Sequence, residues 1–174
     1  MKKRLAGLLL AALVLVPSAA SGEALEDVRD ANDTRGKFDI REVEHYGGPR
    51  TWKIATWPRW SIAETWDRGY FLVRLDTFAG PRRDYYGLIR STGLRLQGSL
   101  WRDFRVRRDR KLDPLDTFRT SARNVKIRIP VRDLLGRKRN HYRWSVQSLW
   151  RGPSCEHNCF DFAPNWRFVR QPIS

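Results

Sequence analysis

Val125-Lys126-Ile127-Arg128-Ile129-Pro130-Val131 places a β-branched aliphatic residue at every second position, with two basic residues and a proline between them. Successive side chains of a strand point to opposite faces, so this alternation predicts a strand buried on one side and wet on the other. A sheet with one solvated face is characteristically antiparallel. Outward from this stretch the same texture recurs. Downstream come a short turn at Leu134-Leu135-Gly136, a basic tip at Arg137-Lys138-Arg139, a strand through Tyr142, Trp144, Val146 and Ser148, and a last strand over Trp166–Val169.

Upstream, Leu94–Trp101 and Asp84–Arg90 read as a hairpin around Ser91-Thr92-Gly93, and Tyr70–Asp76 as a strand with Phe71, Val73 and Leu75 on one face. Ala79-Gly80-Pro81 and Gly47-Gly48-Pro49 are turn signals. Trp52–Trp57 and Phe38–Tyr46 are two further strands, whereas Pro58–Asp67, the charged stretch Arg102–Lys111 and the acidic Ser21–Arg35 read as irregular, the last as a loop or frayed helix turn. About eight short strands at regular spacing, with no convincing amphipathic helix, predict an all-β fold: a jelly-roll-like antiparallel β-sandwich.

The first residues belong to a different class of segment. Lys2, Lys3 and Arg4 precede an unbroken apolar run, Leu5–Val16, then Pro17 and the small residues Ser18-Ala19-Ala20. This order predicts a removable secretory signal peptide over residues 1–20, with cleavage after Ala20 or, nearly as well, after Gly22. The run is too short for a membrane-crossing helix, which needs about 20 residues, and no second apolar run follows. The expectation is a secreted chain whose mature part, residues 21–174, is one domain without a transmembrane segment. Cys155 and Cys159, the only cysteines, then read as a disulfide closing a short local loop. With His157 they would supply only three of the four ligands that structural zinc takes.

The formal net charge is +15, and removal of Lys2, Lys3 and Arg4 leaves +12. Such a surface suits a polyanion, for an exported protein an acidic cell-envelope polymer or polysaccharide. Arg105, Arg107, Arg108, Arg110 and Lys111 form the densest basic patch, and their guanidinium groups match phosphate or sulfate. Phe104 and Tyr142 interleave too little aromatic surface to specify single-stranded nucleic acid. Eight tryptophans offer another surface. Trp57, Trp60 and Trp66, in or beside an irregular stretch, are the candidates for stacking on sugar rings. Trp52, Trp101 and Trp144 sit at strand positions that point to the core.

Asp30-Ala31-Asn32-Asp33-Thr34-Arg35-Gly36-Lys37-Phe38-Asp39-Ile40 leads three carboxylates through a glycine into a strand. Calcium takes six to eight oxygens, of which such a loop can offer several, and the same side chains could equally cap turns. The string D-x-N-D-x-x-G-K-F-D-I resembles the opening motif of exported actinobacterial β-sandwich modules, similar in outline to DOMON-like and family-nine-like carbohydrate-binding jelly rolls. Val125–Gly136 and the Cys-x3-Cys-x-Asp-x-Ala-Pro-Asn ending over Cys155–Asn165 fit the same resemblance. It implies a non-catalytic module with a structural calcium, held by Asp30, Asp33 and Asp39, with Asp161 added if the first and last strands lie side by side.

Catalytic patterns are missing. None of His45, His141 and His157 falls in a metal-binding pair, and there is no nucleophile elbow or phosphate-cradling glycine loop. Glu42 and Glu44, two apart on a strand, are the one carboxylate pair at a glycosidase-like spacing.

Overall fold

A computed structural model describes residues 24–46, 50–78, 84–104, 106–135, 140–165 and 167–173. The segment expected to be a signal peptide, the turns expected at 47–49 and 79–81, Arg105, the basic residues 137–139 and Trp166 lie outside the described residues. The chain is a sandwich of two antiparallel sheets. The strands are β1 (Ala24–Arg29), β2 (Ile40–Tyr46), β3 (Thr51–Thr56), β4 (Gly69–Asp76), β5 (Tyr85–Ser91) and β6 (Leu96–Arg102), followed by β7 (Arg110–Leu115), β8 (Thr117–Arg119) and β9 (Asn124–Arg128). After the single helical turn α1 (Val131–Leu134) come β10 (His141–Trp150), β11 (Cys159–Ala163) and β12 (Val169–Pro172).

One sheet has the order β1-β2-β3-β9-β8 and the other β11-β10-β4-β5-β6-β7. Strand β10 is long enough to take two partners end to end on one side, β12 along His141–Trp144 and β11 along Val146–Trp150. The stretch quoted first is β9 and its exit. It pairs with β3 so that Val125 faces Ile54 and Ile127 faces Trp52, and the next row of the same face adds Val43 and His45 from β2. Opposite them the second sheet presents Phe71, Val73 and Leu75 with Tyr142, Trp144 and Val146, all at most 2% exposed.

His45 is the unexpected member of this core. It is fully buried, stacked on Trp52 with ring centroids 4.2 Å apart. Its Nδ1 lies 3.2 Å from the Thr51 carbonyl, which can only accept, so the proton sits on Nδ1 and Nε2 accepts from the Tyr142 hydroxyl. Burial lowers its pKa to about 4, which keeps the ring neutral.

Four strands depart from the expectation, and each lies at a sheet edge: β1, β8, β7 and β11. The acidic segment read as a loop or helix turn is the edge strand β1, and the charged run read as irregular becomes β7 from Arg110 onward. An edge strand is held by backbone hydrogen bonds on one side and need not alternate, and charge or proline there discourages further pairing. Pro114 in β7 is such a residue. The last strand, expected over residues 166–169, is β12 at Val169–Pro172.

Between β1 and β2 the loop makes one close approach. Gly36 has φ +104°, and a Cβ there would sit 2.1 Å from the Trp150 ring. Trp150 is buried and packs edge-on against Phe38. Gly36→Ala therefore incurs both a left-handed backbone penalty and a clash with a core indole, and should lower unfolding free energy by roughly 2–4 kcal/mol in urea titration. A change below about 0.5 kcal/mol would show that the loop yields without cost.

Candidate functional site: a carboxylate cluster where the sheets meet

Residues 38–40 run along the second sheet before entering the first. The buried Ser148 hydroxyl of β10 donates to the Phe38 carbonyl at 2.6 Å, and the Ile40 amide donates to Asp161 Oδ2 of β11 at 2.6 Å. The Phe162 amide donates to Asp161 Oδ1 at 2.8 Å. These bonds bring the edge strand of one sheet against the start of β2 in the other, so the first and last parts of the chain do lie together.

Around Asp161 the loop before β2 gathers its own carboxylates. Asp33, Asp39 and Asp161 each offer an oxygen within 4.8 Å of the others'. Asp33 is exposed, whereas Asp39 and Asp161 are 1% and 3% exposed. Asp30 stands beside them and accepts from Asn165 Nδ2 at 3.0 Å. Thr34 ties the loop to β11 through a 3.4 Å hydrogen bond to the Phe160 carbonyl. Both Asp39 oxygens are buried without a hydrogen-bond partner.

A buried carboxylate without donors is costly as an anion. Burial, and next the Asp161 charge, push Asp39 up to about 7; the Thr34 amide opposes the rise without reaching hydrogen-bond geometry. Burial and then Asp161 likewise raise Asp30 to about 7. Asp161 is raised by burial, against the pull of the Ile40 and Phe162 amides. Burial and mutual repulsion therefore favour protons on the cluster towards neutral pH.

The donor set fits calcium. Every donor is a hard carboxylate oxygen, and oxygens bound to one calcium at about 2.4 Å lie no more than about 4.8 Å apart. Bound there, the ion would be held by Asp33, Asp39 and Asp161, with Asp30 as the fourth carboxylate at hand, and would supply the positive charge that Asp39 lacks.

The other candidate residues are dispersed. Trp57 and Trp66 are 38% and 63% exposed. Trp60 does not join them: it is 3% exposed, edge-on to Phe38, with the Arg119 guanidinium 4.9 Å from its ring centroid and hydrogen-bonded to its carbonyl. The stretch that carries it folds inward, so it presents no face to a sugar. Of the basic run, Arg107 lies over the Phe104 ring at 3.8 Å, and Arg108, Arg110 and Lys111 are exposed along the start of edge strand β7. Cys155 and Cys159 form the expected disulfide, with Cα atoms 5.9 Å apart, just ahead of Asp161. Glu42 pairs with Arg29 and Arg41, and Glu44 with Lys53 and Tyr46. Among the described residues no helix is long and apolar enough to cross a membrane.

Compared with known proteins, the chain matches no family model, and no curated protein or solved structure shows significant similarity to it.

The raised carboxylates give a signed pH dependence. Between the ordinary carboxylate pKa and about 7 the folded chain binds more protons than the unfolded one, so without metal these groups lose their stabilising effect as pH rises. His45 acts oppositely: its neutral folded state is stabilising above 6.5 and loses that effect as pH falls towards about 4. From about pH 6.5 to about pH 8 the carboxylates act alone, so in chelator the thermal midpoint should fall across that window. Asp39→Asn should flatten the fall, and a midpoint that climbs with pH in chelator would refute the cluster's proton uptake.

Proposed function

We propose that the chain is an exported, non-catalytic β-sandwich module, stabilised by one calcium ion, that binds a glycan or an acidic envelope polymer. The observation that carries the calcium reading is Asp39: buried, with no partner for either oxygen, and in reach of two more carboxylates. The ion would bridge the loop before β2 to β11 and so fasten one sheet to the other. The basic composition supports an acidic partner, and the exposed Arg108, just before edge strand β7, with Arg110 and Lys111 on it, favours a second reading, a polyanion-binding protein.

Calcium that binds only the folded state raises its stability by mass action, by about 2.7 kcal/mol at a hundredfold excess over Kd. For a domain of this size that is a rise of roughly 5–10 °C in Tm over the chelated protein. Asp33→Ala removes an exposed ligand and one repelling charge. It should abolish the rise while leaving Tm in chelator equal to or above that of the parent. No rise at millimolar calcium, measured by calorimetry on the mature chain, would reduce these aspartates to turn caps.

A further inference from the structure

Away from the carboxylate cluster, the outer face of the β10-β4-β5-β6 sheet is hollowed into a groove of about 710 Å³. Sheet register divides it into two ends. At one end Tyr70 of β4 lies opposite Arg90 of β5, with Arg151, Trp66 and Asp67 on the rim. At the other end Arg74 lies opposite Tyr86, near Asp103 and Asp109. Leu72 and Leu88, paired across the two strands, floor the middle. From Tyr70 to Arg74 the strand advances about 13 Å, more than a single sugar ring bridges.

Trp66 is the most informative residue in the groove. Its indole is 63% exposed, yet the turn that presents it is rigidly built. The Ser61 amide donates to the Glu64 carboxylate at 2.7 Å and the Glu64 amide returns a bond to the Ser61 hydroxyl at 3.2 Å, a capping-box exchange. The buried Thr65 hydroxyl donates to the Ser61 carbonyl at 2.9 Å, and Ser91 of β5 donates to the Ile62 carbonyl. The Arg151 amide donates to the Arg68 carbonyl at 2.6 Å, tying the turn to the end of β10. The indole rests on Gly93, whose φ of +88° no side chain adopts readily. A flat apolar ring carried on so ordered a turn at the rim of a groove is placed where a bound ligand would cover it.

The second end is equally ordered. Tyr86 stacks parallel to Trp101 with ring centroids 6.1 Å apart, and its hydroxyl donates to Asp109 Oδ2 at 3.0 Å. The Phe104 amide donates to Asp109 Oδ1 at 3.0 Å, fixing that carboxylate at the rim.

Charge identifies the ligand class. The chain is strongly basic, but the groove sets three arginines against three aspartates, so it favours neither a polyanion nor a polycation. Carboxylates that accept from hydroxyls, guanidinium groups that donate to ring and hydroxyl oxygens, and flat aromatic faces for C–H surfaces together suit a polyhydroxylated neutral ring. We infer that this groove binds a neutral linear oligosaccharide across two subsites, one at Trp66 and one at Tyr86. The inference rests on the binding-module reading above and is independent of the calcium.

Native gels cast with soluble β-glucan, mannan, xylan or polygalacturonate test it on the mature protein, alongside the exposed-site variants Trp66→Ala and Arg90→Ala. Retardation by at least one neutral polymer is expected, weakened roughly tenfold or more by Trp66→Ala with Tm unchanged. Retardation that both variants retain would overturn the groove and leave the binding module standing. Retardation by polygalacturonate alone, abolished by salt, would overturn the groove in favour of the basic edge. No retardation by any of the four polymers would overturn both the groove and the binding module, whatever calcium does to Tm.

Discussion

The hydrogen bond from the Ile40 amide to the buried Asp161 carboxylate joins residues 121 apart in sequence and closes the sandwich along one side. A strand leaving one sheet for another must satisfy its backbone groups between the two, where neither ladder reaches them. Asp161 and Ser148 do this from the second sheet, one accepting from Ile40 and the other donating to the Phe38 carbonyl. Phe38 is thereby packed against Phe71, Trp150 and Trp60, and Gly36 is pressed against the Trp150 ring.

The same carboxylate sets the character of the site. Once Asp161 occupies the junction, the buried Asp39 and half-buried Asp30 beside it add like charges in poor contact with water. Asp39 and Asp30 respond by holding protons to about pH 7. A divalent cation offers the alternative resolution, and the two states differ in sign: protonation is favoured by acid and metal binding by base. Junction and site are thus one construction, in which a structural need for an acceptor creates a place where a cation would be stabilising.

The two faces of the second sheet illustrate a different economy. Its inner face buries Trp144, Tyr142 and Phe71 against the other sheet, as alternation in β4 and β10 implies. Its outer face would ordinarily be solvated, yet Ser145, Gln147 and Leu149 on that side of β10 are at most 5% exposed. The turn carrying Trp66 and the loop carrying Asp109 rise as walls around that face. Segments without hydrophobic periodicity therefore build the concavity, by local side-chain-to-backbone bonds that no period reveals.

Alternation alone determined the all-β class, the seven strands that have a partner on each side, and the inward set of aliphatic and aromatic residues except Trp101, which was expected in the core and instead lies half-buried on the outer face beside Tyr86. Such strands must bury one face, which imposes the period of two. The Cys155–Cys159 pair and the aspartates of the loop before β2 were also legible, through spacing and residue type. Only the tertiary structure decided that β1, β7, β8 and β11 exist, because an edge is held through backbone bonds and carries no obligatory pattern. It alone turned Trp60 inward and Trp66 outward, since both sit in one irregular stretch whose course depends on contacts with β5 and β8. It alone brought Asp161 to Asp39, because strand pairing between distant segments, rather than local spacing, sets which carboxylates share a volume.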